Sequence, residues 1–317
     1  SMLLGNRSLL SDARLELFRN SGTVHLFAVS GLHVGSFALC LHLLSRLLRM
    51  PAAARVLPVL AGTWAYVWLT GASPSAVRAG IMVTCVFLSR HLLRQPHLFP
   101  AMVLSAWLVL LYDPGQIRDL GFQLSYGVVA ALLLIGLPLV AALRNWQAAG
   151  DQPVPGDPRW PRFLSATGWR LAELLCVSTS AALASMPLIV QHFSLFTPGG
   201  LLFSVILNPL AAACVMIGCL TLLTAFLPLP FEWLACLSWP VIFLMENLLR
   251  ICLEIPGTYS HRNWDWPPTG TILLLAALGL AWGIQRLRQE GRSLPVAAQG
   301  LPLVVLLGGL ALTSVHP

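Results

Sequence analysis

Residues 24–47 read VHLFAVSGLHVGSFALCLHLLSRL. The run holds a single charged residue, Arg46, and it is long enough to cross a bilayer, which takes about 20 mostly apolar residues. It also carries His25, Ser30, Gly31, His33, Gly35 and His42. A polar group in hydrocarbon is costly and normally faces a cavity or a partner helix. Four readings are open: a catalytic Ser/His pair, a metal site, a polar lining for something that passes through, or packing between helices.

The rest of the chain has the same character. Of 317 residues 57% are hydrophobic and 10% charged, with a mean hydropathy of +0.77. A soluble domain averages about 25% charged. The composition therefore predicts an all-α, polytopic integral membrane protein. Apolar stretches fall near 24–45, 56–72, 76–93, 98–112, 121–142, 171–191, 201–227, 233–250, 269–286 and 298–314. This predicts about ten transmembrane helices over 24–317, with at least one broken helix at Asn208-Pro209. Residues 1–23, with Ser11 as N-cap before Asp12-Ala13-Arg14-Leu15-Glu16-Leu17-Phe18-Arg19, read as an amphipathic helix lying at the interface. Ser1-Met2 reads as a cloning remnant, so the native chain is expected to begin earlier. No cleavable signal peptide is legible.

All 19 basic residues are arginine. Arg46, Arg49, Arg55, Arg90, Arg94, Arg144, Arg159, Arg162, Arg170, Arg286, Arg288 and Arg292 follow odd-numbered stretches; only Arg118, Arg250 and Arg262 follow even-numbered ones. The positive-inside rule then makes the odd loops cytoplasmic and places both chain ends outside. Arg7, Arg14 and Arg19 fit this if the first helix lies on the outer surface. The net charge of +7 is mostly topological and does not by itself indicate nucleic acid. Residues 144–168, rich in Pro, Gly and Asp, read as the one linker, dividing the stretches five and five. The seven cysteines lie in apolar runs without C-x-x-C spacing and read as small buried hydrophobes.

Polar residues gather in four places. In the opening run, Gly31 and Gly35 form a G-x-x-x-G pair that lets a neighbouring helix approach. Ser30 and His33, three apart, share a face. In SPSAVRAGIM, residues 73–82, Ser73 reads as an N-cap with Pro74 at the first helical position, and Arg78 lies one turn inside. Arg78 either snorkels to the interface or makes an anion-binding spot beside the helix N-terminus. In DPGQIRDLGFQLSYG, residues 113–127, Asp113-Pro114-Gly115 breaks the chain before Gln123, Ser125 and Tyr126. Asp119 is positioned to pair with Arg118 or Arg78. The fourth group is Ser178, Thr179, Ser180, Ser185 and Pro187, followed by Asn208-Pro209.

Several chemistries lack their residues. No G-x-x-x-x-G-K-[ST] loop is present, and no H-E-x-x-H. No stretch carries a carboxylate pair; Glu173 and Glu246 lie near the ends of theirs, where a proton-coupled transporter typically needs an acid at mid-membrane. Ser30 with His33 or His25 would make an intramembrane hydrolase, but a base on the serine's own helix leaves little room for substrate. The eight-residue separation of His25 and His33, with no acid beside them, disfavours a metal. No cofactor is expected.

Together the motifs resemble one family, the competence proteins of the ComEC type, inner-membrane channels for DNA uptake in bacteria. HLFAVSGLHVG at 25–35 is similar to the H-L-x-A-[IV]-S-G-L-H-V-G signature, and PSAVRAGIM at 74–82 to P-S-x-x-R-A-x-x-M. GFQLSYGVVA at 121–130 resembles G-F-Q-L-S-[FY], and residues 185–211 resemble the stretch ending in N-x-[LP]. Beyond about residue 230 the sequence is generic. The resemblance implies the membrane core of a channel for single-stranded DNA. Its lining would come from His25, Ser30, His33, Arg78, Arg118, Asp119, Gln123, Ser125 and Asn208, with Gly31 and Gly35 in packing. Its partners would be the strand, membrane lipid, extracellular DNA-binding and nuclease modules, and a cytoplasmic motor. The alternatives are the hydrolase and a small-solute transporter.

Overall fold

The computed structural model describes residues 30–92, 98–150, 159–224, 232–254, 260–264, 268–290 and 296–315. The amphipathic helix expected over 1–23, and His25, lie outside them. The described residues are almost entirely helical. In chain order they form α1 (Gly31–Leu47), α2 (Val56–Leu69), α3 (Pro74–Leu92) and α4 (Leu98–Tyr112), a 3-10 turn (Pro114–Arg118) and α5 (Leu120–Ala131). A π turn (Leu132–Gly136) leads into α6 (Leu137–Gly150) and then α7 (Arg159–Phe193), β1 (Leu195–Phe196), α8 (Pro198–Thr224) and α9 (Glu232–Glu254). The chain ends with β2 (Ser260–Asn263), α10 (Thr269–Gln289), a 3-10 turn (Val296–Gly300), α11 (Leu301–Ala311) and β3 (Ser314–Val315). Every predicted apolar stretch carries a helix. Three are long and apolar enough to cross a membrane: Leu120–Ala148, Gly168–Phe193 and Thr269–Gln289.

Four expectations are corrected. The helix predicted to break at Asn208-Pro209 runs on from Pro198 to Thr224. Pro209 removes one N–H, but leaving the helix would strand several more backbone groups in apolar surroundings. The irregular helix lies instead at the π turn. The fold is not purely helical, because β1, β2 and β3 form a small antiparallel sheet in that order. The linker shortens to 151–158, since α6 reaches Gly150 and α7 begins at Arg159.

The fourth correction is to the five-and-five division. One compact unit comprises Ser1–Tyr126 and Thr197–Tyr259; the other comprises Gly127–Phe196 and Ser260–Pro317. In the first unit, α1, α2, α3 and α8 converge on a core of Val34, Phe37, Cys40, Tyr66, Val67, Ala76, Ala79, Val215 and Cys219. Phe37 stacks on Tyr66 with centroids 4.7 Å apart. The Trp64 indole donates to the Thr84 hydroxyl at 3.1 Å, tying α2 to α3. A second cluster joins Leu207, Ala211 and Cys214 of α8 to Met245 and Leu249 of α9. Ala76, Ala79, Ala211, Cys40, Cys214 and Cys219 let the helices approach along these seams, beside larger residues such as Phe37 and Tyr66. Large side chains point outward instead: Leu39, Leu43 and Leu47 on α1, Trp68 on α2, Trp107 and Leu111 on α4. An apolar exterior on small-residue seams is the pattern of an integral membrane protein. Cys40, Cys85, Cys214 and Cys219 are buried as expected, whereas Cys236 is exposed.

The second unit packs α6, α7 and α10 around the π turn, with α11 against α7 and α10, and the Leu134 carbonyl of the turn accepts from the Gln285 amide at 3.5 Å. The hydroxyls of Ser180 and Ser185 bond back to their own helix, at the carbonyls of Cys176 and Ala182. Gly270 sits where a Cβ would collide with the Pro187 carbonyl, which also accepts from the Trp264 indole at 3.2 Å.

Candidate functional site

Helix α3 begins as its sequence predicts. The Ser73 hydroxyl accepts from the Ala76 amide at 3.4 Å and the Ser73 carbonyl from the Val77 amide at 2.9 Å. One turn on, the Arg78 side chain is only 4% exposed. Its Nη1 donates to Gln116 Oε1 and to Asp119 Oδ1, both at 3.4 Å, while its Nε has no partner. Arg78 thus does not snorkel; it points to the chain break between α4 and α5.

That break is held by its own carboxylates. Asp113 Oδ1 accepts from the Gly115 amide at 3.0 Å, and Asp113 Oδ2 from the Gln116 side-chain amide at 3.0 Å. Asp119 caps α5, its Oδ1 accepting from the Phe122 amide at 2.8 Å. Gly121 makes room for the guanidinium: a Cβ there would lie 2.6 Å from Arg78 Nη2 and 3.0 Å from Asp119 Oδ1. Below the pair, the Ser105 and Tyr126 hydroxyls are 2.9 Å apart and buried, joining α4 to α5. The site is therefore one buried cation, one half-exposed carboxylate (49%) and one amide, at the N-terminal ends of α3 and α5.

The opening motif lies beside it. Ser30 is the N-cap of α1 and His33 the third helical residue. His33 Nδ1 accepts from the Ser30 amide at 3.3 Å and lies 2.9 Å from the Ser30 hydroxyl. This is a capping box in which histidine takes the usual place of Glu or Gln. An accepting Nδ1 puts the proton of the neutral ring on Nε2, and that atom is buried without a partner among the described residues. A Cβ at Gly31 would meet the Ala79 Cβ at 3.7 Å, so the start of α1 lies against the residue after Arg78. That distance is ordinary contact. At Gly35 no described atom lies within 4 Å of the Cβ position. Tight helix approaches occur instead at Gly62, Gly270 and Gly309, against Leu41, Pro187 and Leu273.

The structure thus joins Arg78 to Asp119 and Ser30 to His33, with Gly31 of the second pair's helix against Ala79, the residue after Arg78. Arg118 is exposed on the 3-10 turn, and Asp119 pairs with Arg78 rather than with it. Gln123 donates to the Ile117 carbonyl at 3.0 Å, and Ser125 is half-buried on α5. Asn208 lies in α8, and its side chain is outside the described residues. Gln116 and Gly121 were not singled out from sequence; only their place in the segment 113–127 could have drawn attention to them. Among the described residues no His, Cys, Asp and Glu cluster suited to a metal occurs. Glu173 is bridged by Arg144 at 2.6 and 2.8 Å, and Glu246 is buried well inside α9.

The family model described as Competence protein matches residues 2–289, well past the motifs that carried the resemblance. ComE operon protein 3 of Bacillus subtilis (strain 168) is 28% identical over 247 residues, 75% of this chain and 28% of its own length. An uncharacterized protein of Aquifex aeolicus (strain VF5) is 29% identical over 284 residues, 88% of this chain and 59% of its own. Competence protein ComA of Neisseria gonorrhoeae is 28% identical over 231 residues, 65% of this chain and 30% of its own. The chain therefore spans less than two thirds of each of these relatives. No solved structure matches it.

Proposed function

Because the chain belongs to the Competence protein family, we propose that it is the membrane core of a channel that passes single-stranded DNA into the cytoplasm. The observation that carries the reading is Arg78. A buried guanidinium near the start of an apolar helix, its Nε without a partner among the described residues, is suited to the phosphodiester of a strand and is costly for packing alone. The amide of Gln116 beside it supplies a weak, neutral contact that lets a strand slide, since tight binding stalls conduction. The driving force comes from a cytoplasmic motor or from capture of the strand. Extracellular modules for DNA binding and strand cleavage act before it.

In this reading the chain crosses the bacterial inner membrane about ten times, with both termini outside. The parity of its loops supports that arrangement. His42, near the end of α1, meets Phe87, near the end of α3, with ring centroids 5.5 Å apart, so Arg46 after the first stretch and Arg90 at the end of the third share one end of their unit. In the other unit β1, β2 and β3 follow even-numbered stretches, and their pairing gathers those segments at one end. The test is binding of a labelled single-stranded oligonucleotide to the full chain in neutral nanodiscs. Arg78→Gln is expected to weaken it and flatten its salt dependence; unchanged affinity and slope would remove Arg78 from the path.

A second reading rests on the Ser30–His33 contact, which is within general-base reach. The same nitrogen accepts the Ser30 amide, and the pair closes a helix end, so the cap accounts for it without catalysis.

A further inference from the structure

The grip on Arg78 is loose for a cation so deeply placed. Charge-assisted contacts of a guanidinium usually run about 2.7–2.9 Å. Here two acceptors share Nη1 at 3.4 Å each, and Nε has none. The carboxylate that faces it is committed elsewhere, because Asp119 Oδ1 holds the Phe122 amide at the shorter distance of 2.8 Å. Asp119 is also half-exposed, so water and ions reach the pair, and such ion pairs contribute little. Losing Arg78 would leave Asp119 in place as the cap of α5.

We infer that Asp119 is a displaceable internal counter-ion of Arg78, which a phosphodiester monoanion of the incoming strand replaces. The inference rests on the channel reading above and adds how the site is held before and after each contact. A phosphodiester presents two anionic oxygens to the planar fork of the guanidinium, a better match than one shared carboxylate oxygen. Once the strand moves on, Asp119 returns to Arg78. The exchange keeps each phosphate contact weak enough to release, and it denies the site to small anions at rest. Gly121 is the positioning residue, since only a residue without Cβ leaves Nη2 its place above α5.

The test uses the full chain in phosphatidylcholine nanodiscs. It is titrated with a fluorescent single-stranded dT oligonucleotide and, separately, melted with and without dimethyl phosphate. Asn caps helices as well as Asp does, so Asp119→Asn removes the charge and keeps the cap. The variant is expected to bind the oligonucleotide roughly threefold to tenfold tighter, as for deleting one competing charge about 4 Å away that is screened by a water-like dielectric of about 80. That gain vanishes in Arg78→Gln/Asp119→Asn. An Asp119→Asn affinity equal to or below that of the unaltered chain, with an unchanged melting temperature and no stabilisation by dimethyl phosphate, overturns the counter-ion role. Should Asp119→Asn melt low, Asp119→Ser, which also caps, carries the same comparison. If dimethyl phosphate stabilises Asp119→Asn but not the double variant, while oligonucleotide affinity is the same in all, the counter-ion role stands and the channel reading falls. If phosphatidylglycerol in the disc abolishes the Asp119→Asn response to dimethyl phosphate, a lipid headgroup is the occupant and displacement by a strand is overturned.

Discussion

Nδ1 of His33 lies 2.9 Å from the hydroxyl of Ser30 and 3.3 Å from its amide nitrogen, so one ring atom closes the start of α1. The Ser-Gly pair of the opening run thus divides by role. Ser30 and His33 form a cap, and Gly31 sets α1 against Ala79 of α3.

A cap and a catalytic pair answer differently to substitution. Ser30→Ala and His33→Leu each cost about 1 kcal/mol, the usual effect of losing a cap, read as a lower melting temperature. His33→Gln reaches the same amide and costs less. A fluorophosphonate probe leaves the chain unlabelled; labelling that Ser30→Ala abolishes would make Ser30 a nucleophile.

Gly121→Ala tests what holds Arg78. The new methyl would meet the movable end of a side chain, so the fold survives within about 1 kcal/mol while the guanidinium shifts. Oligonucleotide affinity should fall toward that of Arg78→Gln. Wild-type affinity in Gly121→Ala would show that the position of Nη2 is immaterial.

Glycines with and without a neighbour should behave oppositely. At Gly270 a Cβ would collide with the Pro187 backbone, so Gly270→Ala destabilises by about 1–3 kcal/mol. Gly35→Ala is neutral or stabilising by about 0.5 kcal/mol, as for a helix interior glycine. Thermal melts of the two variants check both signs, and a large loss at Gly35 would restore the G-x-x-x-G pair as a tight seam.

Loop parity predicts accessibility. In a chain whose native cysteines are replaced, Arg90→Cys in inverted and right-side-out vesicles should react with an impermeant maleimide from the cytoplasmic face. Arg118→Cys should react from the outer face. Reaction of both from one face would break the ten-span arrangement.

Much of this was legible in the sequence because apolar runs in a membrane protein have few alternatives to helix. All the stretches carry one, and the Ser73-Pro74 start of α3 stands as read. What sequence concealed is mostly tertiary. The Arg78–Asp119 contact, one of the two pairings open to Asp119 in the sequence, spans 41 residues, and no periodicity points to Gln116 as its support. Pro209 looked like a break because the rule for water overstates proline in an apolar setting, where the backbone has nowhere better to go. Strands of two residues, such as β1 and β3, are too short to leave a pattern. The interleaved units were hidden because the linker at 151–158 is the visible seam, whereas packing divides the chain at Tyr126, Phe196 and Tyr259.

The most direct measurement is flux. Liposomes holding the full chain, loaded with a nuclease-resistant capture strand complementary to an external fluorescent single strand, should accumulate that strand. Uptake should fall severalfold in Arg78→Gln and decline with rising salt. Accumulation no greater than in protein-free liposomes, or equal in the unaltered chain and Arg78→Gln, would contradict a strand path past Arg78.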